Sequence, residues 1–222
     1  MTTLLLAYIF NLFVVNEKSI QNQAMGNSNQ SSVIKAVEQN HLQDVEKALK
    51  NGADVNMQNS GKQSLLLIAT RNGSFEMAKL IVAYGADVNL QDEIADSPFL
   101  YAGASGKTAF VKLFLDNGAR FDVFNRYNGT ALIPACERGH VETVKLLANT
   151  KGFPIDHVNR LGWTALMEAI ILGNGSKKYQ EVVRILVDAG CNIDIPDKDG
   201  VTPLQHAEVM GFNEIAAILK SK

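Results

Sequence analysis

The 222-residue chain carries 21 Lys and Arg against 23 Asp and Glu, a net charge of −2, with 46% hydrophobic and 20% charged residues. That balance describes a globular chain with enough apolar residues for a core and excludes a disordered polyelectrolyte. It also excludes a phosphate-binding stripe, because the basic residues are dispersed among nearly equal acids, and no nucleic-acid partner is expected. Met1 to Gln30 differs in kind from the rest of the chain. Leu4 to Val15 is a 12-residue apolar run, short for a bilayer-spanning helix but suited to the core of a signal peptide, and Ala24-Met25-Gly26 offers a small-x-small cleavage pattern before a polar linker. The expectation is export, or a membrane tether through residues 4–15. No Lys or Arg precedes the run and Asn11 interrupts it, so a cytoplasmic chain that begins at Met25 is the alternative.

From Ser31 onward an alanine recurs five residues after a hydroxyl residue: Ser31/Ala36, Ser64/Ala69, Ser97/Ala102, Thr130/Ala135, Thr164/Ala169 and Thr202/Ala207. Successive hydroxyl residues are 33, 33, 33, 34 and 38 positions apart. A fixed period of this size predicts copies of one small unit, each unable to bury its apolar face alone and therefore stacked on its neighbours. The units run over 31–60, 61–93, 94–126, 127–160, 161–198 and 199–222, after a separate segment 1–30. A first helix around each alanine is predicted to end at Asn40, Gly73, Gly106, Gly139, Gly173 or Gly211, residue types that tolerate positive φ. A second amphipathic helix comes next, as in Val141-Glu-Thr-Val144-Lys-Leu146-Leu147. Gly52, Gly85, Gly118, Gly152 and Gly190 then end that helix, and an extended tail leads through a hairpin into the next unit. The polar helices of unit one and the tail-less unit six suit the two ends of the stack. Unit five carries about five extra residues between its helices, in Leu172 to Gln180, which places Lys177, Lys178 and Tyr179 beside a candidate binding face around Trp163.

These units resemble ankyrin repeats. Thr202-Pro203-Leu204-Gln205-His206-Ala207 is close to the family's Thr-Pro-Leu-His-x-Ala signature, and Gly52-Ala-Asp-Val-Asn56 and Gly85-Ala-Asp-Val-Asn89 match its repeat end. The resemblance covers Ser31 to Lys222 and implies an all-α solenoid of about six helix-turn-helix units joined by short β-hairpin-like connections. The family's signature histidine is replaced by Ile34, Leu67, Leu100, Ile133, Met167 and Gln205, so apolar packing is expected where that histidine usually makes a polar link.

Catalytic and metal-binding constellations are absent from the sequence. His41, His140, His157 and His206 fall in different units without ligand spacing, Cys136 and Cys191 read as core fillers rather than a disulfide, and no phosphate loop or nucleophile elbow is present. No cofactor or metal is expected, and the chain is read as a non-enzyme. What remains is surface. In ankyrin-like stacks the hairpin tips and the exposed side of the first helices line a concave face, which here carries Arg126, Tyr127, Glu137, Arg138, Arg160, Leu161, Trp163, Ile171 and Leu172. Trp, Tyr and Arg are the residue types most enriched among interface hot spots. The expected function is non-catalytic binding of a partner protein on that face by a monomer. An envelope-tethered accessory protein is one alternative. A small-ligand-binding or hydrolytic protein is another, which needs a groove beside Glu137, His157 and Glu168. Asn72 and Asn128 begin Asn-x-Ser/Thr triplets inside repeat turns, where a glycan would crowd the stack, so an exported chain would fit a bacterial periplasm or envelope.

Overall fold

Paired helices fill residues 30–221, the part of the chain that the computed structural model describes; the apolar run at 4–15 lies outside the described residues. The first helix, α1, covers 30–38. After it come α2 (Leu42–Lys50), α3 (Leu65–Asn72), α4 (Phe75–Ala83), α5 (Pro98–Ala104), α6 (Thr108–Leu115), α7 (Leu132–Glu137), α8 (Val141–Ala148), α9 (Ala165–Ile171), α10 (Lys177–Asp188), α11 (Pro203–Val209) and α12 (Asn213–Lys220). Odd-numbered helices pack in file, α3 on α5, α5 on α7, α7 on α9 and α9 on α11. Even-numbered helices form a parallel file from α2 to α12. Among the described residues there is no strand, only an isolated bridge between Gln58 and Ser64. The architecture is the all-α solenoid that the period predicts.

Local chemistry starts these helices in phase. The side-chain oxygens of Ser64, Ser97, Thr164 and Thr202 accept from the backbone N–H three residues on, at 3.1 Å from Leu67, 3.2 Å from Leu100, 3.2 Å from Met167 and 3.3 Å from Gln205. Each such cap is worth about 1 kcal/mol. Unit four departs from the pattern: the buried Thr130 hydroxyl has no hydrogen-bond partner, and α7 begins one residue later and is only six residues long. The alanines at the fifth position, from Ala69 to Ala207, are sealed between neighbouring helices.

The packing of the former histidine positions agrees with the sequence. Leu67, Leu100, Ile133 and Met167 are all buried, Ile34 is half-buried, and Gln205 is exposed at the end of the stack, where it completes a capping box with Thr202. Polar links between units lie in the tails. Asn56 Oδ1 accepts from Asp87 N at 2.8 Å, Asn89 Oδ1 from Arg120 N at 2.8 Å, and Gln91 Nε2 donates to Phe124 O at 2.8 Å. Aromatic contacts bridge the same region, with Phe121 and Phe153 at 4.9 Å between ring centres and Phe124 stacked on His157 at 4.4 Å.

Unit five corrects one predicted landmark. Its first helix does not turn at Gly173: the positive φ falls at Gly175 (+67°), whereas Asn40, Gly73, Gly106, Gly139 and Gly211 carry it where expected. A Cβ on Gly173 would lie 2.1 Å from Ala169 O, so that glycine is needed for close approach instead. The insertion is also only partly loop. It lengthens α10 to 12 residues, against eight or nine in the other second helices. The added turn buries Tyr179, whose hydroxyl donates to Glu137 O at 2.8 Å, and Lys178 Nζ donates to Arg138 O at 3.1 Å. The insertion thus braces the end of α7.

Candidate functional site

Five hairpin turns along one edge of the stack are built by the same device. Asn59, Asp92, Asn125, Asn159 and Asp197 each accept, through Oδ1, from the backbone N–H two and four residues on. The side chain thereby closes a turn in place of a strand ladder. Because the turn is fixed, the residue two positions after the Asx points outward from the same place in each copy. Three of these residues are large and apolar: Ile94, Tyr127 and Leu161 are 50%, 52% and 48% exposed. They form a row along successive tips. The recurring Asn or Asp at 59, 92, 125, 159 and 197 is the sequence signal for this edge, and Ile94 belongs to it although residue type alone points only to positions from Arg126 onward.

Between the tips of units four and five the groove deepens into a cleft of about 290 Å³ lined by Asn125, Tyr127, Gly129, Ile133, Pro134, Glu137, Asn159, Leu161, Glu168 and Leu172. Its upper edge is apolar, with Tyr127, Leu161 and the 47% exposed Leu172. One wall carries Glu168, only 5% exposed, whose Oε1 accepts from Asn159 Nδ2 at 2.7 Å. Burial, and next the neighbouring Glu137, push the Glu168 carboxyl up to about 7, while the Asn159 amide opposes the shift. The same link recurs one unit on, where His206 Nε2 lies 2.7 Å from Asp197 Oδ2. Both pairs join an Asx turn residue to the position just before the signature alanine.

Of the nine residues expected on the concave face, the structure brings Tyr127, Glu137, Leu161 and Leu172 together around this cleft. The other five do not line it. Arg126 is exposed, 3.7 Å from Asp96 and 5.0 Å from the centre of the Tyr127 ring. Arg138 is exposed and donates to Ala104 O. Arg160 is exposed on the next tip, and its backbone N–H donates to Tyr127 O at 2.8 Å. Trp163 is half-buried and closes its turn, its carbonyl accepting from Asn159 N at 3.0 Å and its N–H donating to Asn159 Oδ1 at 3.1 Å. Ile171 is half-buried at the end of α9. His157 stands apart from Glu137 and Glu168, stacked on Phe124 and bonded to Asn128 O at 2.6 Å. Cys136 and Cys191 are free thiols, both pushed up mainly by burial, Cys191 to about 12. Among the described residues no group of three or more His, Cys, Asp or Glu is placed to hold a metal ion, and no helix is long and apolar enough to cross a membrane.

Stacked helical pairs, a tip row and a concave cleft define a helical-repeat scaffold. The family model for ankyrin repeats, in three copies, matches residues 4–92 and 99–197, and the chain belongs to the ankyrin-repeat family. Ankyrin repeats are in general protein–protein interaction modules. The chain is 45% identical over 95 residues to the ankyrin repeat protein YahD of Escherichia coli, a match covering 42% of this chain and 47% of YahD. It is 28% identical over 95 residues to the glycerophosphocholine phosphodiesterase GDE1 of Candida albicans, covering 43% of this chain and 8% of that protein. The chain therefore spans at most about half the length of these curated relatives. Among solved structures it is similar to an ankyrin repeat domain from Acinetobacter baumannii AYE, with a TM-score of 0.83 at 45% identity, covering 86% of this chain and 96% of the other. The ankyrin repeat protein EF0377 gives a TM-score of 0.82 at 38% identity, covering 85% and 96%.

Proposed function

We propose that the chain is a non-catalytic recognition module that docks a partner protein on its concave face, centred on the cleft between units four and five. The gathering of Tyr127, Leu161 and Leu172, all about half exposed, around one cleft carries this reading. Large apolar side chains at the mouth of a concavity gain more from burial by a partner than from solvent. The Asx-closed turns hold two of them rigidly, so docking costs little ordering entropy. Among the described residues no serine, cysteine or histidine lines the cleft, and the thiol that adjoins Glu168, Cys136, is sealed in the core with its pKa pushed up by burial, which favours recognition over hydrolysis. The matched segment of GDE1 is a small part of that enzyme, so its activity is not carried over. Affinity capture from the native source with mass-spectrometric identification tests the role. Tyr127→Ala with Leu161→Ala should lose the partner while keeping the helical circular dichroism, whereas Trp163→Ala with Arg138→Ala, at positions off the cleft, should keep it. Retention of the partner by the Tyr127 and Leu161 double variant would refute the face.

A tether through residues 4–15 is the second reading of the amino end, supported by the apolar run. Fractionation of cells that express the full chain tests it: recovery with membranes supports the tether, and recovery in the soluble fraction contradicts it.

A further inference from the structure

The repeat period makes residue 71 in unit two correspond to 104, 137 and 171 in the next three units. In unit two that place is Arg71, at the end of α3. Its Nη2 reaches forward onto the next hairpin, 3.3 Å from Asp92 Oδ2 and 3.2 Å from Asp96 Oδ2, with the guanidinium carbon 5.0 Å from the centre of the Tyr101 ring. One cation from the end of α3 thus serves both acids of that hairpin, with Arg126 as a second cation 3.7 Å from Asp96. Two units along, the place of Arg71 is taken by Glu137 and the place of Tyr101, two periods later at 168, by Glu168. What was an arginine over two acids has become two glutamates lining one cleft. Among the described residues neither carboxylate has an ion pair, the Glu168 side chain has only the Asn159 amide, and the Glu137 carboxylate has no hydrogen bond. The arginines around the face are committed elsewhere or stand outside the cleft, Arg126 to Asp96 and Tyr127, Arg138 to Ala104 O. A carboxylate on a residue only 5% exposed, left without a cation, is costly unless something supplies one.

Resting on the proposed recognition role, we infer that this cleft receives a cationic side chain of the partner protein, an arginine or lysine, with its charged head between Glu137 and Glu168 and its methylene stem on Ile133, Pro134 and Leu172. The volume accommodates one such side chain, and the apolar wall suits a stem that is normally kept out of water by a neighbour. The elevated Glu168 carboxyl agrees, since its cause is burial beside a like charge and not any cationic neighbour. Arg71 is the internal precedent for the geometry.

The test is selection of a random dodecapeptide display library on the full chain, followed by calorimetry with the synthesised peptides. The expected result is that the selected peptides share an Arg or Lys. Replacing it by citrulline or norleucine should weaken binding about tenfold or more, and Glu137→Gln with Glu168→Gln in the chain should do the same. The glutamine at 168 keeps an acceptor for Asn159, and a cooperative thermal transition in the double variant confirms that it is folded. Peptides whose affinity depends on Tyr127 and Leu161 but not on a basic residue or the two glutamates would overturn this inference and leave the recognition face standing. Peptides insensitive to all four residues would overturn both.

Discussion

Glu168 shows how one residue can be read in pH. Its folded carboxyl sits near 7, above the ordinary value of 4.5, so the folded chain holds that proton more tightly than the unfolded chain does. The sign is then fixed: below pH 4.5 both states are protonated and there is no penalty, and the wild type loses stability as pH rises to about 7. Glu137 from α7, Asn159 from the hairpin and buried Cys136 are the groups that face or adjoin it. Glu168→Gln should therefore match the wild type at pH 4 and exceed it by about 1–2 kcal/mol at pH 8, a figure already reduced for partial solvent access. Denaturant titrations at the two pH values measure the difference; equal stability at both would contradict the buried, uncompensated carboxylate. A second residue-scale prediction concerns Ala95, which holds φ of +61° at the fourth place of its Asx turn, where units five and six have Gly162 and Gly200. Ala95→Gly should stabilise by about 0.5–1 kcal/mol, seen as a raised thermal midpoint, because the left-handed region costs alanine but not glycine.

At the scale of elements, the phased alanines were legible because a helix-helix contact permits only a small side chain there, and that constraint is written at every copy. Ala102 is completely buried between stacked first helices, and Ala102→Leu should cost about 1–3 kcal/mol by overpacking, measurable by chemical denaturation. The tip row was legible only in part. Tyr127 and Leu161 stand out by residue type, but Ile94 needed the Asx phase, which emerges once the turn geometry shows what Asn159 or Asp92 does. Trp163 misleads for a related reason: rarity singles it out, yet its place in the turn leaves it half-buried and off the cleft. Gly173 and Gly175 could not be told apart from spacing, because an insertion shifts the turn and only the clash with Ala169 O decides. The added turn of α10 was hidden for the same reason, and Tyr179→Phe should remove its bond to Glu137 O at a cost of about 1 kcal/mol in equilibrium unfolding.

Over the whole molecule, the stack is one-dimensional: each unit touches its neighbours, and changes to a surface residue in one copy leave the others intact. Such a scaffold can carry Arg71 and Glu137 at equivalent places, an ion-paired arginine in one unit and an unpaired carboxylate in another. The pairing of residue 71 with 96, or of 159 with 168, is a contact between units and becomes visible only when the stack is assembled. In the proposed role the concave face is the working surface and the second-helix file its support. The most direct measurement is hydrogen–deuterium exchange on the full chain with and without the captured partner. Slowed exchange concentrated in 125–137 and 159–172 is the predicted result; protection confined to the second helices, such as α4, α6 and α8, with these two segments unchanged, would contradict it.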